Sequence, residues 1–402
     1  MHNNETILLI TLVVLGYGYY SKFLLNLNIS GPMVFTAIGV MLSSIGFKLV
    51  NISINSELIT ITAEIALIII LFSDASSLKL KRLKYEWSIP FRLLVIGLPL
   101  TIVFTTFIAS LMFTHEEIIY LLLMSLLLAP TDAALGKAVV SDIKVPQQIR
   151  DSINVESGLN DGIVFPILLG VIAIIVAKES TSSNVEWLTY IAKQIFFGAF
   201  FGAFIGYINA KLSNKTILKD RIEVAYKNLI PIAIAIFAYY IAEYFGGNGF
   251  IAAFFAGMFL GNYNEGLKGN VENFMESESE LLVLISFMFF GLTFIPSTIE
   301  YWNMEVLFFS LLSLTALRMI PVAFSLIGSK LDFMSVLFIG WFGPRGIASI
   351  LYLLIVVDEV VSIKAHETIY SIITLTILLS IFLHGLSARI LVDLYAKHIR
   401  EK

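Results

Sequence analysis

Cysteine is missing from all 402 residues, which excludes disulfide frameworks and thiolate metal sites. Charge is nearly as scarce. Asp, Glu, Lys and Arg make up 14% of the chain, where a soluble protein carries roughly a quarter. The five histidines are scattered without the spacing of a zinc site. A net charge of −4 excludes a basic nucleic-acid surface. The first apolar run, residues 7–25, has no basic leader and no small-residue cleavage site, so it reads as a retained helix rather than a signal peptide. Apolar residues dominate instead: 58% of the chain is hydrophobic and the mean hydropathy is +0.88. Such a chain presents most of its surface to lipid or to other lipid-embedded helices.

Apolar runs of about 17–25 residues, long enough for a helix to cross a bilayer, fall at 7–25, 32–50, 58–76, 88–113, 117–136, 152–177, 187–210, 228–243, 248–263, 280–298, 303–327, 333–357 and 367–390. The expectation is an all-α polytopic membrane protein of about thirteen spans, a single membrane domain over residues 1–402 with no separate soluble domain. Lys and Arg give the orientation. With the N-terminus outside, 19 of the 26 fall in cytoplasmic segments, including "KLKRLK" (79–84) and the stretch 211–227. Only Lys48, Lys178 and Lys364 fall outside, and Arg92, Lys193, Arg318 and Arg345 lie within spans. An odd number of spans then places the C-terminus in the cytoplasm.

Spans five and twelve are interrupted in a related way. The fifth ends "LLLAPTDAALGKAVV", with Pro130, Thr131 and Asp132 after an apolar run; the twelfth reads "LFIGWFGPRGIASILYLLIVV", with Gly343, Pro344, Arg345 and Gly346 at its middle. Proline removes a backbone donor and clashes with the preceding turn, so both helices are predicted to break there. Freed backbone groups at membrane depth are tolerated only where they are buried in protein or line a cavity. Seven spans separate the breaks, so the two segments run in opposite directions. That pattern points to an inverted-repeat transporter with two broken crossing helices.

Between them lies "VESGLNDGIVF", residues 155–165. Glu156 and Asn160 are four apart, as are Ser157 and Asp161, so the four form one polar stripe on a helix. Asp161 lies ten residues from Asp151, about 15 Å along a helix, which is half the thickness of a hydrocarbon core of about 30 Å. An ionised carboxylate at that depth needs a wet cavity, a cation or a partner. Arg345 is the expected partner for one of the two acids. A hard monovalent cation wants oxygen ligands, and Asp161, Asp132, Ser157 and Thr131 are the candidate Na⁺ set. A carboxylate partly removed from water holds a proton more readily, so Asp161 can carry a proton or a cation but not both. With Asn160 beside it instead of a second Asp, one carboxylate cycles, which suggests one proton per Na⁺.

Several residues keep two readings. Asp132 is a cation ligand or a cap on the broken helix, and Thr131 and Ser157 are ligands or bond back to their own helix. Glu156 is a structural pair or a direct participant. Glu64, Arg92 and Lys193 read as structural, residues 276–280 ("ESESE") as a solvated turn, and His366 and His384 as too isolated for a pH sensor.

"APTDAALG", "ESGLNDG" and "GPRG", in this order and spacing, together with "GNGFIAAFFAGMFLGN", resemble the NhaP/NHE-type monovalent cation/proton antiporters across essentially the whole chain. The resemblance implies thirteen helices, a homodimer in the plasma membrane, a dimerisation half and a six-helix transport half, and elevator-like motion. It implies Asp161 as the cation- and proton-binding carboxylate, with Asn160 its structural neighbour and Ser157, Thr131 and Asp132 as contributors. It further implies Glu156 with Arg345 as a buried ion pair, and Arg318 as a second basic residue near it. In the third span "LFSDAS" stands where the family has an acidic motif, so Asp74 stands in for that acid, with Asp for Glu and a glycine missing. The long cytoplasmic tail of animal members is not expected here. The implied activity is Na⁺ or Li⁺ exchange for protons, without a cofactor, and K⁺/H⁺ exchange remains open. A cation channel lacks its filter sequence here, and an enzyme its nucleophile or cofactor motif.

Overall fold

The computed structural model describes residues 3–50, 57–77, 88–180, 184–217, 223–264, 280–360 and 366–401. Among these residues every regular element is helical. "KLKRLK" and residues 276–279 lie outside the described residues. The helices are α1 Asn3–Asn26, α2 Gly31–Leu42, α3 Glu57–Ser77, α4 Ser88–Met112, α5 Ile118–Leu127, α6 Ala133–Val140, α7 Gln147–Ser180 and α8 Asn184–Ile217. They continue as α9 Val224–Tyr244, α10 Gly249–Tyr263, α11 Glu280–Tyr301, α12 Met304–Ser325, α13 Phe333–Trp341, α14 Ile347–Glu359 and α15 Glu367–Arg400.

Seven described helices are long and apolar enough to cross a membrane, and Gly31–Leu42, Ile118–Leu127 and Gly249–Tyr263 are shorter apolar helices. The all-helical membrane class therefore stands, but not every predicted span is one unbroken helix. The second stops at Leu42 instead of running to 50. Ser43 turns its hydroxyl onto the Val40 carbonyl (2.7 Å), and Lys48 takes a left-handed φ of 58°. The last runs ten residues beyond the predicted end. Val392, Tyr395 and Ala396 are buried there, while Asp393 and Lys397 stay exposed, and those charges disguise the stretch as a tail. In α4 and α11 the ladder widens to π turns at Leu93–Gly97 and Phe290–Phe294. Each sits just before a proline, Pro99 or Pro296, that cannot donate back to the preceding turn.

The chain forms two compact units. The first comprises Met1–Thr60, Ser88–Asn160 and Val283–Lys402; the second comprises Ile61–Trp87 and Asp161–Leu282. Within the first, Leu93, Val139, Ile149, Val322, Ile339 and Val392 belong to one buried apolar cluster, drawing α4, α6, α7, α12, α13 and α15 together. In the second, Gly198, Gly202 and Gly206 recur at one turn's spacing along α8. A Cβ at Gly202 or Gly206 would collide with the backbone of Ala252 or Ala256 on α10. Small residues let these two backbones touch, the usual basis of close helix contact in lipid.

Candidate functional site

The site in the first unit is built from two interruptions that supply each other's missing bonds. Helical structure stops at Leu127 and resumes at Ala133, and again stops at Trp341 and resumes at Ile347. Such gaps leave carbonyls at the first half-helix and amides at the second without partners. Asp132 N donates to Pro344 O at 2.8 Å, joining one gap to the other. Ile347 N, at the start of α14, donates to Asp132 Oδ2 at 2.7 Å. Ser349 Oγ donates to Leu127 O at 2.6 Å, closing the end of α5. Asp132 therefore acts as a cap on the opposite broken helix. Gly346 is fixed by this approach, because a Cβ there would overlap the Asp132 carboxylate.

Beside the gaps lies a buried charge cluster. Arg318 Nη2 donates to Glu156 Oε1 at 2.8 Å, with side chains 2% and 3% exposed. This corrects the expected partner: Glu156 is bound by Arg318, not Arg345. Arg345 Nη1 instead donates to Gly343 O at 3.0 Å, and the guanidinium stays within electrostatic reach of both Glu156 and Arg318. The reason is local. Gly343 lacks a Cβ, and one would strike the Arg318 guanidinium. The Arg318 side chain passes through that gap to reach α7, while Arg345 folds back on its own broken segment. The "GPRG" stretch thus needs its first glycine for Arg318 and its second for Asp132.

Thr131, Ser157 and Asn160 are brought together. Thr131 Oγ1 and Ser157 Oγ are 3.0 Å apart, and Asn160 Nδ2 donates to Thr131 Oγ1 at 2.7 Å. All three are buried. Asn160 thereby ties the first gap to α7, a task that needs an amide donor, which a carboxylate lacks.

Asp161 opens the second unit's share of α7. The residue is 5% exposed. It sits 14 residues from Gln147 and 15 from Val176, midway along this membrane-length span and just before its uninterrupted apolar run, residues 162–177. With Leu71, Phe165, Phe250 and Phe254 it lines a small cavity of about 10 Å³, roughly the room of one water or a small ion. An aromatic wall and one carboxylate make a place where charge is costly unless a proton or cation accompanies it. Asp74 is half-buried on α3, one turn beyond Leu71, and is not among the residues lining this cavity.

Other expectations are refined. Arg92 Nη1 donates to Ile327 O at 2.5 Å beyond the end of α12, a structural task. Glu64 lies within electrostatic reach of Tyr239. His366 is not isolated: its Nδ1 lies 2.5 Å from Glu116 Oε2 and its ring stacks on Tyr120 at 3.9 Å. Sequence reasoning missed Ser349 and Ser380, and gave His384 no role. For Ser380 and His384 the available signal was two polar residues one turn apart in the last helix.

Membrane-length helices around two interrupted segments, with paired charges buried at the breaks, define a polytopic membrane protein of the transporter type. Residues 8–394 match the transmembrane sodium/hydrogen exchanger family, and the chain belongs to that family, one of transporters rather than enzymes. Over 304 residues it is 30% identical to a Na⁺/H⁺ antiporter of Schizosaccharomyces pombe, covering 67% of this chain and 64% of that one. It is 24% identical to the K⁺/H⁺ antiporter NhaP of Alkalimonas amylolytica, covering 85% and 59%. The chain thus spans about three-fifths of the length of these curated relatives. The sodium proton antiporter MjNhaP1 of Methanocaldococcus jannaschii shares the fold, with a TM-score of 0.79 over 98% of this chain and 99% of that one, at 21% identity.

Proposed function

We propose that the chain is a secondary transporter exchanging a monovalent cation, Na⁺ or Li⁺, for protons. The observation that carries this reading is Asp161: a buried carboxylate midway along the membrane-length span Gln147–Val176, lining a cavity walled by aromatic rings. A proton and a cation compete for it, and alternating exposure of the loaded carboxylate to the two sides makes the exchange obligatory. The ligand set read from the sequence adds Asp132, Ser157 and Thr131. Of these, Asp132 has one oxygen committed to the Ile347 amide, so its first duty is to hold the crossover. The hydroxyls of Thr131 and Ser157 offer neutral oxygens of the kind a hard cation accepts. Glu156 with Arg318 is scaffold, and Arg345 braces the gap it belongs to.

The proposal extends to an elevator-like movement in a homodimer, in the plasma membrane, with the N-terminus outside and the C-terminus in the cytoplasm. One cycling carboxylate gives one proton per cation. Purified protein in liposomes, monitored with a pH-sensitive dye, is expected to show saturable proton flux on cation addition. The rate should be unchanged when a membrane potential is imposed; a rate that follows the potential contradicts the 1:1 cycle. K⁺/H⁺ exchange is the second reading, favoured by the Alkalimonas relative, and the same assay run with K⁺ separates the two.

A further inference from the structure

In an unbroken helix the Arg345 amide would donate to the Trp341 carbonyl, four residues back. The chain leaves the helix after Trp341, whose carbonyl accepts from Gly343 N at 2.8 Å inside the gap, and α15 also reaches both groups. Arg345 N donates to Ser380 Oγ at 2.6 Å. Ser380 Oγ lies 3.2 Å from His384 Nδ1, and His384 Nε2 lies 3.0 Å from Trp341 O. Ser380, His384 and Arg345 are all buried. The directions of these bonds follow from the atoms. A carbonyl only accepts, so Nε2 carries the ring proton facing Trp341. The Ser380 oxygen accepts from the Arg345 amide, which leaves its single proton for Nδ1, an acceptor in that tautomer. Nδ1 also lies 3.1 Å from the Ser380 carbonyl. A second ring proton aimed there would create an imidazolium within electrostatic reach of Arg345 and Arg318, two cations that already face one Glu156.

We propose that Ser380 and His384 form a relay that replaces the missing helical bond. It runs from the Arg345 amide through the Ser380 hydroxyl and the neutral imidazole to the Trp341 carbonyl. The relay fixes the separation of the two ends of the gap. Through that gap it sets where Arg345 lies and where α14 begins, at the amide that Asp132 caps. The Trp341 indole is held from the same helix, donating to Ser387 Oγ at 3.1 Å. Ser380 and His384, four residues apart, are polar on an apolar helix because the broken segment opposite requires one acceptor and one donor at that spacing. His384 is a positioning residue: it acts through the gap.

The functional part rests on the exchange reading above, and the tautomer part does not. In nanodiscs, ¹⁵N-histidine-labelled protein is expected to show His384 neutral at pH 7 with an unprotonated Nδ1, the signal being assigned by its loss in His384→Gln. A protonated Nδ1 overturns the relay. In liposomes, His384→Gln, which carries an acceptor and a donor in one side chain, is expected to exchange within about threefold of the unaltered protein. His384→Phe fills the ring volume without either group and is expected to lose about tenfold, equivalent to about 1.4 kcal/mol. A packing role gives the opposite order, and that order, or equal rates for both, refutes the proposal. Should His384→Phe fail to fold, Ser380→Thr is expected to retain exchange and Ser380→Ala to lose it; equal rates again refute. If the unaltered protein exchanges no cation, the transport reading fails while the tautomer measurement still decides the relay.

Discussion

Replacing Glu156 by Gln strands the Arg318 guanidinium 2% exposed, with a second guanidinium, that of Arg345, in electrostatic reach. Breaking a buried pair from one side costs about 3–5 kcal/mol, because the remaining charge has lost both water and its partner. Replacing both members removes that penalty, so Glu156→Gln with Arg318→Met should be destabilised far less than the two single changes summed. The expected coupling is about 2 kcal/mol or more, near the upper part of the range for residues in contact. The parallel cycle of Glu156→Gln with Arg345→Met should give less than about 1 kcal/mol, since no carboxylate lies within ion-pair distance of Arg345 among the described residues. Unfolding in mixed micelles of rising SDS fraction, followed by tryptophan fluorescence, supplies the four stabilities of each cycle. An Arg345 coupling equal to or larger than that of Arg318 would refute the pairing and the role given to Gly343.

Three further outcomes follow from the same contacts. Gly346→Ala drives a methyl into the Asp132 carboxylate and should abolish exchange, whereas Asp132→Asn, which keeps a capping oxygen, should be milder than Asp132→Ala by about 1 kcal/mol in the unfolding assay. Asn160→Asp removes the donor to Thr131 Oγ1 and should cost about 1–3 kcal/mol; an unchanged unfolding midpoint would count against the amide's structural task. Gly202→Val inserts a branched side chain where α8 meets the Ala252 backbone and should lower the thermal aggregation midpoint, while the same change at Gly16, with nothing near it, should not.

The interruptions at 128–132 and 342–346 were legible because proline and glycine sit beside charge in otherwise apolar runs, a local signal. Placement of Asp161 near mid-helix was legible for the same reason: it depends only on counting along one helix. The partner of Glu156 was not. Arg318 and Arg345 are equally buried candidates, and the choice turns on the missing Cβ of Gly343, visible only when two chain segments are laid together. The target of the Asp132 cap was hidden likewise, since a cap normally serves its own helix. The end of an apolar run reads alike whether the helix runs on or stops, so the end of α2 at Leu42 depended on a serine cap and a left-handed Lys48. The extension of α15 to Arg400 was missed because charge on one face outweighed the buried Val392 and Tyr395 in a hydropathy average.

The most direct test of the account is the Asp161→Asn protein beside the unaltered one in liposomes, with a proton gradient imposed and Na⁺, Li⁺ or K⁺ added in turn. The amide keeps size and polarity but cannot alternate between proton and cation. The account predicts saturable cation-driven proton movement with Asp161 and none above protein-free vesicles with Asn. An Asp161→Asn protein that exchanges at the unaltered rate contradicts it.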